Sequence, residues 1–240
     1  MINGKSQRAK GKIQRAKGKG QISLVAFCLL LFAFCLLRFA FLTCTSQPKS
    51  KVPFYNSPDF TPLWFSNSEA QSKNLHSIAP FKFIDQNGNT ITENTVKGKI
   101  HIANFFFSIC PSICPKMTHN LVEAQKAFAT DTSVVQLSYS VMPWIDSVAR
   151  LKMYADVNNI DVRKWHLLTG QAGKIYNLAR QSYFAEEAIG YTRDSTEFLH
   201  TEHVLLVDTE GHLRGVYNGT LPLEIDRLIE DVKTLRSEKK

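Results

Sequence analysis

The sequence predicts an α/β fold, a central mixed sheet with helices on both faces, preceded by one N-terminal transmembrane helix. Three observations predict it. Residues 99–107 (Lys-Ile-His-Ile-Ala-Asn-Phe-Phe-Phe) form an apolar, β-rich run too continuous for a strand with one wet face, so they read as a central strand covered on both sides. Downstream, strand-like runs alternate with segments of helical period, and the series closes in a hairpin, which is the pattern of a mixed sheet wrapped by helices. Upstream, residues 22–43 are almost wholly apolar. At ~1.5 Å per residue they extend about 33 Å, enough for a hydrocarbon core of ~30 Å.

Residues 1–21 carry Lys5, Arg8, Lys10, Lys12, Arg15, Lys17 and Lys19 and repeat Gln-Arg-Ala-Lys-Gly-Lys in tandem. Too little apolar surface exists there to offset ordering entropy, so they read as a basic cytoplasmic flank. Positive charge before the span and little after it places residues 44–240 on the far side of the membrane. Arg38 lies near the outer end, where its stem can carry the charge to the interface. A cleaved signal peptide is the rival, although its apolar core usually spans ~7–15 residues. Cys44 stands where a lipoprotein signal would place an acylated Cys, and a mitochondrial transit peptide followed by an anchor would export the domain equally well. The expectation is a domain held at the periplasmic side of a bacterial envelope, with the mitochondrial inner membrane as the alternative.

Residues 44–70 mix Ser, Pro, Asn and Lys with Phe54, Tyr55, Phe60, Trp64 and Phe65, a tether whose aromatics are expected to dock on the domain of residues 71–240. Phe81 to Ile84 and Thr90 to Ile91 flank an Asn-Gly turn as a hairpin. Beyond the central strand, Met117, Leu121, Ala124 and Phe128 have helical spacing. Val134 to Val141 reads as a strand, and Ser147 to Val157 as a helix capped by Asp146 or Ser147. Trp165 to Gly170 is a short strand and Gln171 to Arg180 a helix. Residues 182–199 form a polar loop longer than a plain connection needs. His203 to Val207 and Leu213 to Tyr217 form a hairpin, and Pro222 to Leu235 a closing helix.

The formal charge of +8 suggests nucleic acid until it is placed along the chain. Residues 1–58 hold ten Lys or Arg and no acid, which leaves nineteen basic against twenty-one acidic residues, near −2, for the rest. Phosphate neutralisation needs clustered positive charge, so no nucleic-acid partner is expected. With 12 Gly, 9 Pro and five Cys the chain is neither collagen-like nor disulfide-dense.

Cys28 and Cys35 fall in the apolar span as small hydrophobes, and Cys44 is juxtamembrane. Cys110 and Cys114 remain for the exported domain. Cys110-Pro-Ser-Ile-Cys114-Pro115 follows the buried strand and opens a helix, where unpaired backbone N–H groups and the dipole favour thiolates. The four-residue offset sets both sulfurs on one side of a helical turn. Pro115 is tolerated because its missing N–H would have been unpaired. Three readings stay open: a structural disulfide, a redox dithiol or a soft-metal site. Two thiolates alone hold linear Cu(I), and a third ligand would make a trigonal site. His76, His101 and His166 read as packed or solvated, His119 turns away from the cysteine face, and His212 belongs to a turn. His200 and His203 flank the start of a strand after the long loop, and composition does not choose between them.

From Lys82 to Asp231 the chain resembles the Sco/SenC family of membrane-anchored, thioredoxin-like copper proteins. Phe-Phe-Phe-Ser-Ile-Cys110-Pro-Ser-Ile-Cys114-Pro-Lys-Met is similar to the family's metal-binding loop, Ser140-Val-Met142-Pro143-Trp-Ile-Asp146-Ser147 to its Ser-Val-Asp-Pro-x-x-Asp-Thr stretch, and Trp165 to Gly170 and Asp208 to Gly211 match as well. The family's His-Thr or His-Ser pair, eleven residues before that last Gly, falls on His200-Thr201. The resemblance implies that Cys110, Cys114 and His200 hold one copper, Cu(I) or Cu(II), for delivery to the two-copper site of cytochrome c oxidase subunit II or a similar envelope copper enzyme. A thiol–disulfide oxidoreductase using Cys110 and Cys114 as its catalytic pair is the alternative it implies. A peroxidase would need an activating Arg, and none is evident near Cys110. Met142 departs from the pattern by replacing its first Asp, either as a neutral loop change or as a thioether that favours Cu(I).

Overall fold

The run from Ile100 to Phe106 is buried at every position, as its unbroken apolar character requires, and the fold is arranged around it. The computed structural model describes residues 52–65, 67–185 and 201–238. The expected basic flank, the transmembrane span and His200 lie outside the described residues. Among the described residues no helix is long and apolar enough to cross a membrane. The elements follow as β1 (Phe54–Tyr55), β2 (Pro62–Leu63), α1 (Asn67–Gln71), β3 (Lys82–Ile84), β4 (Thr90–Thr92), α2 (Glu93–Val96), β5 (Ile100–Phe106), α3 (Ile113–Ala127), β6 (Val134–Ser140), α4 (Val148–Val157), β7 (Trp165–Leu168), α5 (Ala172–Gln181), β8 (His203–Val207), β9 (Leu213–Asn218) and α6 (Pro222–Glu238).

Five strands form the main sheet in the order β7-β6-β5-β8-β9. β5, β6 and β7 are parallel, and β8 and β9 each run antiparallel to the neighbour before them. The fold is therefore the mixed sheet expected. Side chains alternate between its faces. Ile100, Ile102, Phe106, Val204 and Leu206 meet α3, α4 and α6 on one side. Ala103, Phe105, Leu137, Tyr139, Leu205 and Val207 meet α5 and the β3–β4 hairpin on the other. Each fully buried side chain of this size stabilises the fold by roughly 1.5–3 kcal/mol.

Strand direction decides where function can sit. β5 and β6 end, β8 begins and β9 ends on the same edge of the sheet, because Phe106 lies opposite Ser140 and His203 opposite Asn218. That edge gathers the loop of residues 107–112, the turn of residues 141–147 and the stretch leading into β8. At the opposite end the expected tether packs into the core. Val52 and Phe54 are buried, and the Arg214 guanidinium donates to the carbonyls of Val52 (2.7 Å) and Pro53 (3.0 Å) while lying 3.8 Å from the Phe54 ring centroid. The outer edge of β7 is shielded by Gln86, whose buried amide donates to the Trp165 carbonyl and accepts from the Leu167 amide.

Boundaries differ from expectation in physically explicable ways. α3 starts at Ile113, within the Cys110–Pro115 segment expected to open it, although the apolar period becomes visible only at Met117. Its third residue, Pro115, needs no amide partner there. Ser147, not Asp146, caps α4, accepting from the Arg150 amide at 3.3 Å. α6 runs on to Glu238.

Candidate metal centre

Cys110 lies in the loop between β5 and α3, and Cys114 in the first turn of α3. Both are buried thiols, not joined as a disulfide. Ser112 occupies the N-cap of α3, yet its side chain makes no capping bond. The backbone amides of Cys114, Ser112 and Ile113 turn to the Cys110 sulfur instead. The sulfur thus satisfies donors that every helix start leaves unpaired. Burial acts to raise the Cys110 pKa, but those amides and the Cys114 thiol together outweigh it, and it ends below the ordinary thiol value. Cys114 moves the other way. Burial drives it up to about 12, countered only in part by the Phe107 amide. The site therefore offers one sulfur whose thiolate its donors favour and one that gives up its proton reluctantly unless a cation takes the proton's place.

Asp146 braces the loop that carries them. It is fully buried. It accepts from the Ser108 amide (3.2 Å), from the Ser108 hydroxyl and from the Ser140 hydroxyl at the end of β6. The sequence offered Asp146 or Ser147 as a helix cap; Asp146 instead serves Ser140 and Ser108, the latter 38 positions upstream, a distance that no local pattern reveals. Tyr154 of α4 closes a further side, its hydroxyl 2.8 Å from that of Thr118, one turn past Cys114. Burial, and behind it the charges of Cys114, Cys110 and Asp146, raises the Tyr154 pKa to about 12.

The histidines sort cleanly. His101 is buried on the other face, 3.1 Å from the Tyr183 hydroxyl, and His166 pairs with Asp85 at 3.1 Å. His76 packs at a tilt against Phe184, His119 is exposed, and His212 sits 3.6 Å from Asp208 at the far end. His203 opens β8 with its ring edge-on to Phe60, 5.6 Å between centroids. Among the described residues no group of three His, Cys, Asp or Glu is placed to hold a metal. Thr201, the neighbour of position 200, lines one small cavity together with Cys114, Phe106, Phe107 and Val141. The stretch that enters β8 therefore reaches the thiol edge.

The model of the SCO1/SenC family matches residues 69–237. Among solved structures the chain is similar to BsSco, described as a member of the Sco family of cytochrome c oxidase assembly proteins with a disulfide switch; identity is 30%, TM-score 0.57, covering 68% of this chain and 94% of that one. It is similar to a SCO1/SenC family lipoprotein from Bacillus anthracis str. Ames at 26% identity and TM-score 0.59, over 67% of this chain and 95% of that one. Against copper-bound ScoI of Arabidopsis thaliana the identity is 27% and the TM-score 0.52, over 66% and 98%.

Proposed function

The chain belongs to the SCO1/SenC family, and from that premise we propose that it is a membrane-anchored copper chaperone. Its thioredoxin-like domain holds one copper between the thiolates of Cys110 and Cys114 and the imidazole of His200, and passes it to the two-copper site of cytochrome c oxidase subunit II or a similar envelope copper enzyme. The observation that carries this reading is the pair of soft donors on one helix start, at an edge where Thr201 shares a cavity with Cys114. Thiolate pairs select Cu(I) and related soft ions, and one imidazole completes a trigonal set that stays open on one side. An open side permits transfer through shared thiolates. The copper-bound Arabidopsis relative and the oxidase-assembly description of BsSco support the cargo and the target.

The apolar stretch of residues 22–43 anchors the domain at the periplasmic face and keeps donor and acceptor at high effective concentration. The B. anthracis relative's description as a lipoprotein supports envelope attachment.

The test is titration of the full-length chain in detergent with Cu(I) and Cu(II) separately. One equivalent should bind tightly. Cys110→Ser or Cys114→Ser should weaken it at least a hundredfold and His200→Ala at least tenfold. Full copper retention by His200→Ala would remove the imidazole from the site.

The unequal thiols and the disulfide switch ascribed to BsSco favour a second reading, reduction of an acceptor disulfide. Cys110 thiolate attacks one acceptor sulfur, forms a mixed disulfide and expels the other as a thiolate. Cys114 then loses its proton and attacks the Cys110 sulfur, releasing the second acceptor thiolate. Two electrons have passed to the acceptor, and the Cys110–Cys114 disulfide awaits an external dithiol.

A further inference from the structure

Asp146 is a buried carboxylate whose hydrogen-bond partners among the described residues are all neutral: the Ser108 amide, the Ser108 hydroxyl and the Ser140 hydroxyl. Its place relative to the thiols is fixed by consecutive amides of one loop. The Phe107 amide serves the Cys114 sulfur and the Ser108 amide serves Asp146. Tyr154 senses Cys114, Cys110 and Asp146 together. Residues 140–147 contain no other acid, since Met142 stands beside Ser140 where the family pattern has Asp.

Charge arithmetic gives this carboxylate a consequence. Two thiolates and a neutral imidazole around Cu(I) carry net −1, and around Cu(II) net 0. A fixed anion behind the site disfavours the more negative complex. For unit charges about 10 Å apart at an effective dielectric constant near 20, the bias is roughly tenfold.

We propose that Asp146 is a positioning residue that holds the Cys110 loop in register through Ser108 and supplies the fixed negative charge that biases bound copper toward Cu(II). The proposal rests on the copper-site reading above. It also concerns the metal-free pair, because an anion disfavours the thiolate formed in the couple disulfide + 2e⁻ + H⁺ ⇌ Cys110 thiolate + Cys114 thiol.

The test uses the full-length chain in detergent. Asp146→Asn should raise the ratio of Cu(I) to Cu(II) affinity about tenfold. In the metal-free chain, equilibrated with a dithiothreitol redox buffer, it should move the Cys110–Cys114 equilibrium severalfold toward the dithiol; a full tenfold is about 30 mV. Asp146→Glu keeps the charge but displaces it, so both copper affinities should fall while their ratio holds. Met142→Asp adds a second carboxylate and should move the ratio toward Cu(II). If Asp146→Asn fails to fold, Ser108→Ala, which removes one hydrogen bond and no charge, should lower both affinities at an unchanged ratio. An Asp146→Asn chain with the wild-type ratio and midpoint overturns the proposal, as does a Met142→Asp chain with an unmoved ratio. Wild-type chain that binds neither copper ion defeats the chaperone reading instead, and the metal-free midpoint still decides the role of Asp146.

Discussion

The two ends of the sheet handle buried charge in opposite ways. At the end where β5 begins, Arg214 donates to Asp208 at 3.0 Å, to Glu238 at 3.4 Å and to the carbonyls of Val52 and Pro53, so its charge is met within the chain. At the end where β5 finishes, Asp146 and Cys110 take only neutral donors among the described residues. The first end is a closed structural knot. The second gathers a buried carboxylate and a thiol at the edge where the proposed copper would bind. Burying charge without a counter-ion costs stability, which is the cost the proposed copper would offset.

The comparison breaks most easily at the closed end. Arg214→Ala removes the guanidinium from buried Asp208, leaving it its amide donors and His212, and should cost about 3–5 kcal/mol of stability in chemical denaturation, with copper affinity unchanged within twofold. Lost copper binding at retained fold would mean that the ends are not independent. His101, also buried toward that end, sharpens the contrast through pH. Burial holds its imidazole down at about 4, against an ordinary 6.5, with Asp208 opposing the shift. The folded state therefore binds fewer protons than the unfolded one between those values. Stability is complete above about pH 6.5 and falls by about 3 kcal/mol in all as the pH drops toward 4. His101→Gln should flatten that part of the stability–pH curve; an unaltered slope would assign it to other groups.

At the open end the effects are on reactivity. Cys110, with its pKa lowered, should react with iodoacetamide at pH 7 at least tenfold faster than Cys114, and equal rates would contradict the capping geometry. Smallest of all, Ile109, beside Cys110 in the chain, and Trp144, in the turn of residues 141–147, are 49% and 63% exposed. Ile109→Ser or Trp144→Ser should change folding stability by no more than about 0.5 kcal/mol, and a larger loss would show that the rim is part of the core.

Much of this arrangement was legible along the chain, and the gaps have identifiable causes. β5 was readable because burial on both faces demands an unbroken apolar run. The thiols were readable because their position between strand and helix is itself a chemical statement. The start of α3 was readable from Pro115 and the strand-to-helix placement of the cysteines, although Cys110 to Pro115 does not follow the helical apolar period. β1 and β2 were hidden in the tether because two residues per strand leave no alternation to see. Asp146 was readable as an acid before a helix, but its work is set by Ser108 and Ser140, and tertiary partners of that kind leave no local trace.

X-ray absorption spectroscopy at the copper edge, on full-length chain carrying one Cu(I), tests the central claim most directly. The account predicts two sulfur scatterers and one imidazole nitrogen, with the nitrogen lost in His200→Ala and both sulfurs retained. A nitrogen signal that persists in His200→Ala, or a shell with fewer than two sulfurs in the wild-type chain, would contradict it.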